Sequence, residues 1–281
     1  MDPASQKSTR LAWLTDIHLV FTWDQAEQRF DQEYHDLINE VRATKADGVL
    51  ISGDIAEAPE LLRYLRQLER DFAGLPIYFI VGNHDFYRGS ITQVRKEVAA
   101  FASESENLTY LTMSAAPIAL TERVGLIGHD GLADGRFGEL EWSRAKINDL
   151  VYIEELRDAD DVKRREVMNG FGDEAADHFK RLLGEAVRQF QTVLLLAHVP
   201  PWLPLAIYNN RPCDYEYAPY FASKAAGQAI EEVMRESRGS HLMVLCGHTH
   251  CAAEYRPLTN IEALAGAAEY GTPRLQRVIE L

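Results

Sequence analysis

The sequence predicts an α/β protein, and three features of the chain support this fold class. Short apolar runs rich in strand-forming residues recur along it, amphipathic helical patterns lie between them, and the tail carries short strand patterns with little helix. Hydrophobic residues make up 46% of the 281 residues, which is enough to bury a sizeable core.

The predicted strands are apolar runs of five or six residues, each too short to form an independent helix. In chain order they are Leu11–Thr15, Gly48–Ser52, Pro76–Val81, Arg123–Ile127, Thr192–Ala197 and His241–Cys246. Their continuous apolar character indicates strands that are buried in the protein interior.

Helical patterns occupy stretches between these runs, with apolar side chains spaced so that they share one helix face. Two such sets are Phe30, Tyr34, Leu37, Ile38 and Val41, and Leu61, Leu65, Leu68 and Phe72. Residues 173–190 and 223–238 are also predicted to be helical.

The last part of the chain differs, because residues 252–281 form short strand patterns separated by Gly and Pro. A mixed sheet, or two stacked sheets, fits this tail better than a purely parallel sheet. Residues 200–222 combine five prolines, which break any helix, with a cluster of Tyr and Trp, and we expect an ordered surface loop there. No repeat or linker follows residue 10, so residues 1–9 are predicted to be a flexible N-terminus and residues 10–281 a single domain.

Charge and composition exclude some partners. The net charge of −14 disfavours a long nucleic-acid duplex, because affinity for the phosphate backbone comes largely from Lys and Arg. No apolar run approaches the length needed to cross a bilayer, so no membrane partner is expected. Three cysteines cannot form a disulfide framework, and residues 1–10 lack a secretory signal, so the prediction is a cytoplasmic protein. The oligomeric state is not predicted.

Metal-capable side chains follow five of the predicted strands directly, where each strand ends. They are Asp16 and His18, Asp54, Asn83 with His84 and Asp85, His198, and His248 with His250. In α/β sheets, sites form just beyond the carboxyl ends of strands. If these strands lie side by side, the five clusters converge on one crevice. Gly53, Gly82 and Gly247 would permit tight turns off the strand ends.

Carboxylate, imidazole and amide oxygen ligands suit borderline transition metals such as Mn, Fe, Zn or Ni. Seven of these side chains, all except His84 and Asp85, are candidate ligands. Seven ligands exceed what one tetrahedral zinc ion uses, so they predict two divalent or trivalent ions that share Asp54. Two ions about 3.5–4 Å apart clamp the attacking and leaving oxygens of an in-line displacement. A mononuclear enzyme of different chemistry is an alternative, and His198 taken alone also fits a hydrogen-bonded core histidine.

These motifs, in this order, resemble those of the calcineurin-like metallophosphoesterases. That signature is Asp-x-His, Gly-Asp, Gly-Asn-His-(Asp/Glu), His and Gly-His-x-His, and every part occurs between Leu11 and His250. The resemblance implies a four-layer α-β-β-α sandwich, with two mixed β-sheets flanked by helices. It also implies a hydrolase in which a metal-bound hydroxide attacks phosphorus.

The resemblance assigns a role to each residue by its position. One metal would be bound by Asp16, His18 and His250 and the other by Asn83, His198 and His248, with Asp54 bridging them. His84 would stabilise the transition state or protonate the leaving oxygen, oriented by Asp85 or Glu57.

One departure from the wider superfamily bears on the substrate. Its protein Ser/Thr phosphatases carry Gly-Asp-x-x-Asp-Arg-Gly, whereas this chain continues from Asp54 to Glu57, Ala58 and Pro59. Because the Arg is missing, the phosphodiesterase-like branch and a small phosphodiester or nucleotide are favoured. A phosphomonoesterase or protein phosphatase, and a non-catalytic metal-binding scaffold of the same fold, are the alternatives.

Three further residues are candidate substrate contacts. Arg211 is suited to grip a phosphate with two hydrogen bonds, and Tyr208 to stack on a base. His129 follows a predicted strand and is expected near the crevice. A surface turn at His129, and a packed loop or dimer contact at Tyr208 and Arg211, are the alternatives.

Overall fold

The computed structural model describes residues 9–281, so the predicted flexible N-terminus falls, except for Thr9, outside the described residues. Its strands are β1 Arg10–Leu14, β2 Trp23–Asp24, β3 Arg29–Phe30, β4 Gly48–Ser52, β5 Ile77–Ile80, β6 Leu108–Tyr110, β7 Ile118–Ala119, β8 Val124–His129, β9 Thr192–Ala197, β10 Ile207–Tyr208, β11 Arg211–Pro212, β12 His241–Cys246, β13 Ala253–Tyr255, β14 Ile261–Ala265 and β15 Arg277–Glu280. Its helices are α1 Gln32–Ala43, α2 Leu61–Asp71, α3 Ile91–Ser103, α4 Asp149–Tyr152, α5 Glu154–Arg157, α6 Asp161–Gln189, α7 Ala218–Phe221 and α8 Lys224–Glu236.

The first sheet has five strands in the order β15-β1-β4-β5-β6. β1, β4, β5 and β6 run parallel, and β15 from the tail pairs antiparallel with β1. The indole N–H of Trp13 donates to Ser52 Oγ at 3.0 Å and ties β1 to β4 inside the protein. The carboxyl ends of β1, β4 and β5 therefore lie side by side.

The second sheet has six strands in the order β13-β14-β12-β9-β8-β7. Its four central strands are parallel, and the edge strands β7 and β13 are antiparallel to their neighbours. Both sheets are thus mixed, as the strand-rich tail predicts, and β9 and β12 end next to each other.

Side-chain alternation along the strands produces four layers. Leu11 and Trp13 of β1 pack with Leu194 and Leu196 of β9 in a cluster between the two sheets. The intervening residues point outward, because successive strand side chains face opposite sides of a sheet. Outward residues of the first sheet pack on α1, α2 and α3, and those of the second on α6 and α8. The predicted α-β-β-α sandwich is confirmed.

The six predicted strands are present, with ends shifted by no more than two residues. The helix predicted at residues 173–190 is longer and begins at Asp161, where the carboxylate of Asp160 accepts from the N–H of Lys163 at 2.8 Å. Glycines at the start of this helix interrupt its apolar pattern, but Gly172 is needed because a Cβ there would collide with Asp134. Helix α3 was not predicted.

No helix within residues 9–281 is both long enough and apolar enough to cross a membrane. The division of the chain into one domain over residues 10–281 stays a prediction.

Candidate metal centre

The ends of five strands bring the predicted ligands together at one edge of the sandwich. Turns after β1, β4 and β5 carry Asp16, His18, Asp54 and Asn83, and turns after β9 and β12 carry His198, His248 and His250. Asp16, Asp54 and His198 are at most 1% exposed. Buried carboxylates and imidazoles need compensating partners, so this concentration indicates a site and not a packing core.

The backbone around these side chains is strained. Five of the seven predicted ligands have left-handed φ angles: Asp16 49°, His18 40°, Asp54 53°, His248 73° and His250 57°. Residues other than glycine rarely adopt this conformation, and such outliers cluster at functional sites. The strain is offset by hydrogen bonds across the turns, such as those from the N–H of Asp16 to Gly53 O and of His18 to Asp54 O.

Two predicted glycines are needed for close approach and not for an unusual φ. A Cβ on Gly82 would collide with Asp54 Oδ1, and a Cβ on Gly247 with Asp16 Oδ2. The backbone therefore passes close to a carboxylate at both turns, and a side chain at either position would displace it. Gly53, in contrast, has a φ of 97° and makes the tight turn that the sequence predicts.

One group of ligands consists of Asp16, His18, Asp54 and His250, whose candidate ligand atoms all lie within 4.8 Å of one another. The Nε2 atoms of His18 and His250 face each other at 3.0 Å, and His250 Nε2 lies 3.5 Å from Asp16 Oδ1. Two imidazole nitrogens beside buried carboxylates form a donor set that suits a borderline divalent cation.

The second group is formed by Asn83, His198 and His248. Asn83 Oδ1 lies 3.0 Å from His198 Nε2 and 2.9 Å from His248 Nδ1. The other ring nitrogens lie 2.9 Å from the carbonyl oxygens of Ser52 and Tyr220, to which they can only donate. If both rings are neutral, the lone pairs of His198 Nε2, His248 Nδ1 and Asn83 Oδ1 face one another and repel. A cation bound among these three atoms would remove the repulsion. Metal-bound histidines commonly donate their second N–H in this way.

Asp54 belongs to the first group and also reaches the second. Its Oδ1 is 3.2 Å from His198 Nε2, and its Oδ2 is 3.7 Å from His18 Nε2. The backbone N–H of His84 donates to Oδ1 at 2.9 Å and helps to hold the carboxylate in place. Each oxygen of one carboxylate therefore faces a different set of ligands.

The electrostatics of the site favour positive charge. Burial lowers the pKa of His198, but Asp54, Asp16 and the carbonyl of Ser52 together raise it by more, to about 10. Burial also raises the pKa of Asp54, and His198 with the other histidines more than offsets this, so the pKa lies well below its usual range. The buried carboxylate thus attracts a cation strongly, and a bound metal can take the place of the proton.

His84 lies at the mouth of the site, half-buried. Its ring stacks on Tyr87 with 4.2 Å between centroids and meets the ring of His18 edge-on at 4.6 Å. Its backbone, not its side chain, binds Asp54. The ring is therefore beside the ligand groups and not part of either.

The carboxylates predicted to orient His84, those of Asp85 and Glu57, have other partners in the structure. The Asp85 carboxylate is fully buried and accepts from the backbone N–H groups of Ile55, Ala56 and Gly82. Burial raises the pKa of Asp85 to about 7. Glu57 is paired with Arg88 at 2.9 Å. Asp85 instead joins the turns that carry Asp54 and Asn83.

Asp149 is a residue of the site that the sequence did not reveal. Its Oδ1 accepts from Asn83 Nδ2 at 2.8 Å and from the hydroxyl of Tyr87 at 2.6 Å. Asp149 begins the four-residue helix α4 and follows no predicted strand. No signal in the sequence connects it to the crevice.

A crevice of about 540 Å³ opens over the ligand groups. Tyr208, Tyr217 and Phe221 form an aromatic wall on one side, with Tyr208 5.0 Å from each of the other two rings. Tyr270 lies on the other side, 4.7 Å from the His18 ring and 5.0 Å from that of His250. The predicted contact Tyr208 therefore does line the crevice.

The other two predicted substrate contacts lie elsewhere. His129 is 2% exposed and packs on His178 and Phe179 of α6, because β8 ends beneath that helix. Arg211 is exposed on the outer strand of the β10–β11 hairpin and is not among the described residues that line the crevice. Neither contact is supported by the structure.

A comparison with family models identifies the class of protein. The model of the calcineurin-like phosphoesterases matches residues 9–252, and the chain belongs to this family. The protein is accordingly a phosphoester hydrolase, and the family together with the Asp and His cluster indicates a dinuclear metal site. No curated protein matches the chain.

Similar folds occur among solved structures. A dimetal phosphatase from Danio rerio is 13% identical, with a TM-score of 0.56 over 92% of this chain and 87% of that one, which supports the fold alone. The protein TT1561 of Thermus thermophilus is 10% identical, with a TM-score of 0.49 and 98% of both chains covered. A 5'-nucleotidase from Candida albicans is 10% identical, with a TM-score of 0.43 over 94% of this chain and 45% of that one.

Proposed function

We propose that this phosphoesterase uses two metal ions to hydrolyse a small phosphodiester or nucleotide. The observation that carries the proposal is the position of Asp54, whose two carboxylate oxygens face two separate sets of ligands. A carboxylate in this position can bridge a pair of adjacent ions of the kind found in two-metal phosphoesterase sites.

The proposed ligand sets follow the two groups. Asp16, His18 and His250 hold one ion, Asn83, His198 and His248 hold the other, and Asp54 is common to both. When bound, such ions supply positive charge for the phosphoryl oxygens and lower the pKa of a water molecule. The identity of the metals, among Mn, Fe, Zn and Ni, is left to measurement.

His84 is proposed to assist the leaving group. Its half-buried ring lines the crevice, 4.6 Å from the ring of His18 and stacked on Tyr87. From there a ring nitrogen can donate a proton to the departing oxygen, which would otherwise leave as an unstable alkoxide.

The crevice supports a small substrate with a planar group. Its volume of about 540 Å³ lies within the range of small-molecule sites. Phe221 of the aromatic wall approaches the ring of His248 at 5.4 Å, so a base stacked on the wall would keep its phosphate near the ligands. Lys146 is the one Lys or Arg side chain among the described residues that line the crevice.

A cytoplasmic location is part of the proposal. It rests on the cysteines, since Cys213, Cys246 and Cys251 are all free thiols in the structure. Free thiols persist in reducing compartments.

Metal stoichiometry tests the dinuclear site. Elemental analysis after saturation with Mn²⁺ and desalting is expected to give two ions per chain. Asp54→Ala should retain neither ion firmly, because both sites lose a ligand and the two cations then repel each other without its charge. Asp158→Ala is the matched control, because it removes an exposed carboxylate that pairs with Arg157 and belongs to neither ligand group. This variant should keep both ions. A wild-type value near one at full activity would overturn the proposal.

A further inference from the structure

Asp149 connects the two functional parts of the site. Its Oδ1 accepts hydrogen bonds from Asn83 Nδ2 at 2.8 Å and from the Tyr87 hydroxyl at 2.6 Å. Asn83 Nδ2 also donates to the oxygen of Tyr87 at 3.2 Å, which closes a triangle of three side chains. One of these side chains belongs to a ligand group, and another supports His84.

The first arm of this triangle decides which end of the Asn83 side chain faces the ligands. An amide has an oxygen at one end and an NH₂ group at the other, and its partners determine which way it points. An ionised carboxylate only accepts, so Asp149 requires the NH₂ end. Asn83 Oδ1 is then turned toward His198 and His248, the direction that a metal ligand needs.

The hydrogen bond between Asp149 and Tyr87 affects His84 indirectly, because Tyr87 stacks on the His84 ring. The Tyr87 hydroxyl is held by Asp149, and the Tyr87 ring lies 4.2 Å from the His84 ring, with 29° between their planes. Asp85 and Glu57 are occupied elsewhere. Asp149 is therefore the carboxylate whose contacts lead to His84.

We propose that Asp149 is a positioning residue that orients Asn83 toward the second metal ion and holds Tyr87 beneath His84. The inference rests on the proposed dinuclear site and deepens it. The negative charge of Asp149 also strengthens both hydrogen bonds, because charge-assisted bonds are shorter and stronger than neutral ones.

A purely structural role is the competing explanation, since the same segment docks on the rest of the protein. The N–H of Arg88 donates to Tyr152 O at 2.8 Å, and that of Glu154 donates to Gly89 O at 3.1 Å. Glu155 accepts from Ser90 Oγ at 2.9 Å and from the N–H of Ile91 at 3.1 Å at the start of α3. Glu155 thus offers a matched carboxylate with structural contacts only.

Titration of the metal-free protein with Mn²⁺, followed by calorimetry, separates the two explanations. In Asp149→Ala the ion held by Asp16, His18 and His250 should bind as in the wild type. The ion held by Asn83, His198 and His248 should bind about 10- to 100-fold more weakly, the usual loss when a hydrogen-bond partner of a metal ligand is removed. Asp149→Asn keeps an oxygen that accepts both hydrogen bonds and should recover most of the affinity. Glu155→Ala should lower the melting temperature and leave both affinities unchanged.

The possible outcomes are distinguishable. If wild-type protein binds only one ion, the dinuclear proposal itself fails. If it binds two and Asp149→Ala binds both as tightly, Asp149 has no positioning role. If Asp149→Asn is as weak as Asp149→Ala, the charge acts at a distance and hydrogen-bonded positioning is refuted. Should Asp149→Ala fold poorly, Asp149→Ser carries the same expectation, because its hydroxyl is too short to reach both donors.

Discussion

Asn83 and His84 are adjacent in sequence, yet their side chains serve different parts of the site. A 3-10 turn over His84–Phe86 begins directly after Asn83, three residues beyond the end of β5. The Asn83 oxygen therefore points inward to His198 and His248, while the His84 ring turns outward onto Tyr87. The backbone N–H of His84 meanwhile donates to Asp54 Oδ1 at 2.9 Å, so replacing the His84 side chain removes no hydrogen bond to the Asp54 carboxylate.

This separation predicts the behaviour of His84→Ala. The variant should keep both metal ions and the fold, because its backbone contact is preserved. Turnover should fall by about 10²–10⁴-fold, as for loss of a general acid. The loss should be smaller for a nitrophenyl ester, whose leaving group needs little protonation. Steady-state kinetics with good and poor leaving groups, and metal analysis of the same samples, measure both effects.

The control is His35→Ala, which removes an exposed histidine of α1. It should leave turnover and leaving-group dependence unchanged. Equal losses in His84→Ala for good and poor leaving groups would contradict proton donation and indicate electrostatic stabilisation instead.

At the scale of elements, residues 200–222 form more regular structure than the predicted loop. Strands β10 and β11 form a hairpin whose turn residues Asn209 and Asn210 have φ angles of 50° and 59°. Two left-handed residues are typical of the tight type I′ turn, and Asn tolerates this conformation. In the hairpin Tyr208 pairs with Arg211, but Tyr208 lines the crevice and Arg211 does not.

The hairpin provides a paired test of substrate recognition. Tyr208→Ala should raise KM for a nucleotide or nucleoside diester by about fivefold or more, since stacking on a base contributes about 1–3 kcal/mol. It should change KM far less for a methyl phosphodiester without a ring. Arg211→Ala alters the paired position outside the crevice and should leave both KM values unchanged. A rise in KM with Arg211→Ala alone would instead support the phosphate contact predicted for Arg211 from the sequence.

The strand ends were predictable from the sequence because each ligand directly follows its own apolar run. Asp16 after β1 and His198 after β9 need only the rule that parallel strands end at one edge. Asp149 has no such mark, because it lies 66 residues from Asn83 and begins a helix of only four residues. Tyr270 reaches the histidines from the irregular stretch before β15. Contacts between loops depend on tertiary packing, which local patterns do not encode.

At the scale of the whole molecule, the two sheets place the site at one edge of the sandwich, within a protein of net charge −14. Screening by salt limits this field to about 10 Å at 0.1 M ionic strength. A small phosphoester would place most of its charge at the ligand groups, where the proposed ions would dominate the local potential. A long polyanion would also extend across the surface of a protein that carries a net charge of −14.

This difference predicts discrimination by substrate length. Long duplex DNA should be neither bound nor cleaved at physiological salt, because tight binding requires many phosphate contacts from Lys and Arg. Lowering the salt should not rescue it, since weaker screening also strengthens repulsion by the net negative surface. Ordinary duplex-binding proteins behave in the opposite way and bind far more tightly at low salt. The test measures cleavage of three substrates by the manganese-loaded protein: a duplex, a dinucleotide and a nitrophenyl phosphodiester. Each is assayed at about 50 and about 200 mM salt, the range over which duplex-binding proteins lose affinity. Robust cleavage of the duplex, or binding that strengthens as the salt falls, would contradict the preference for a small substrate.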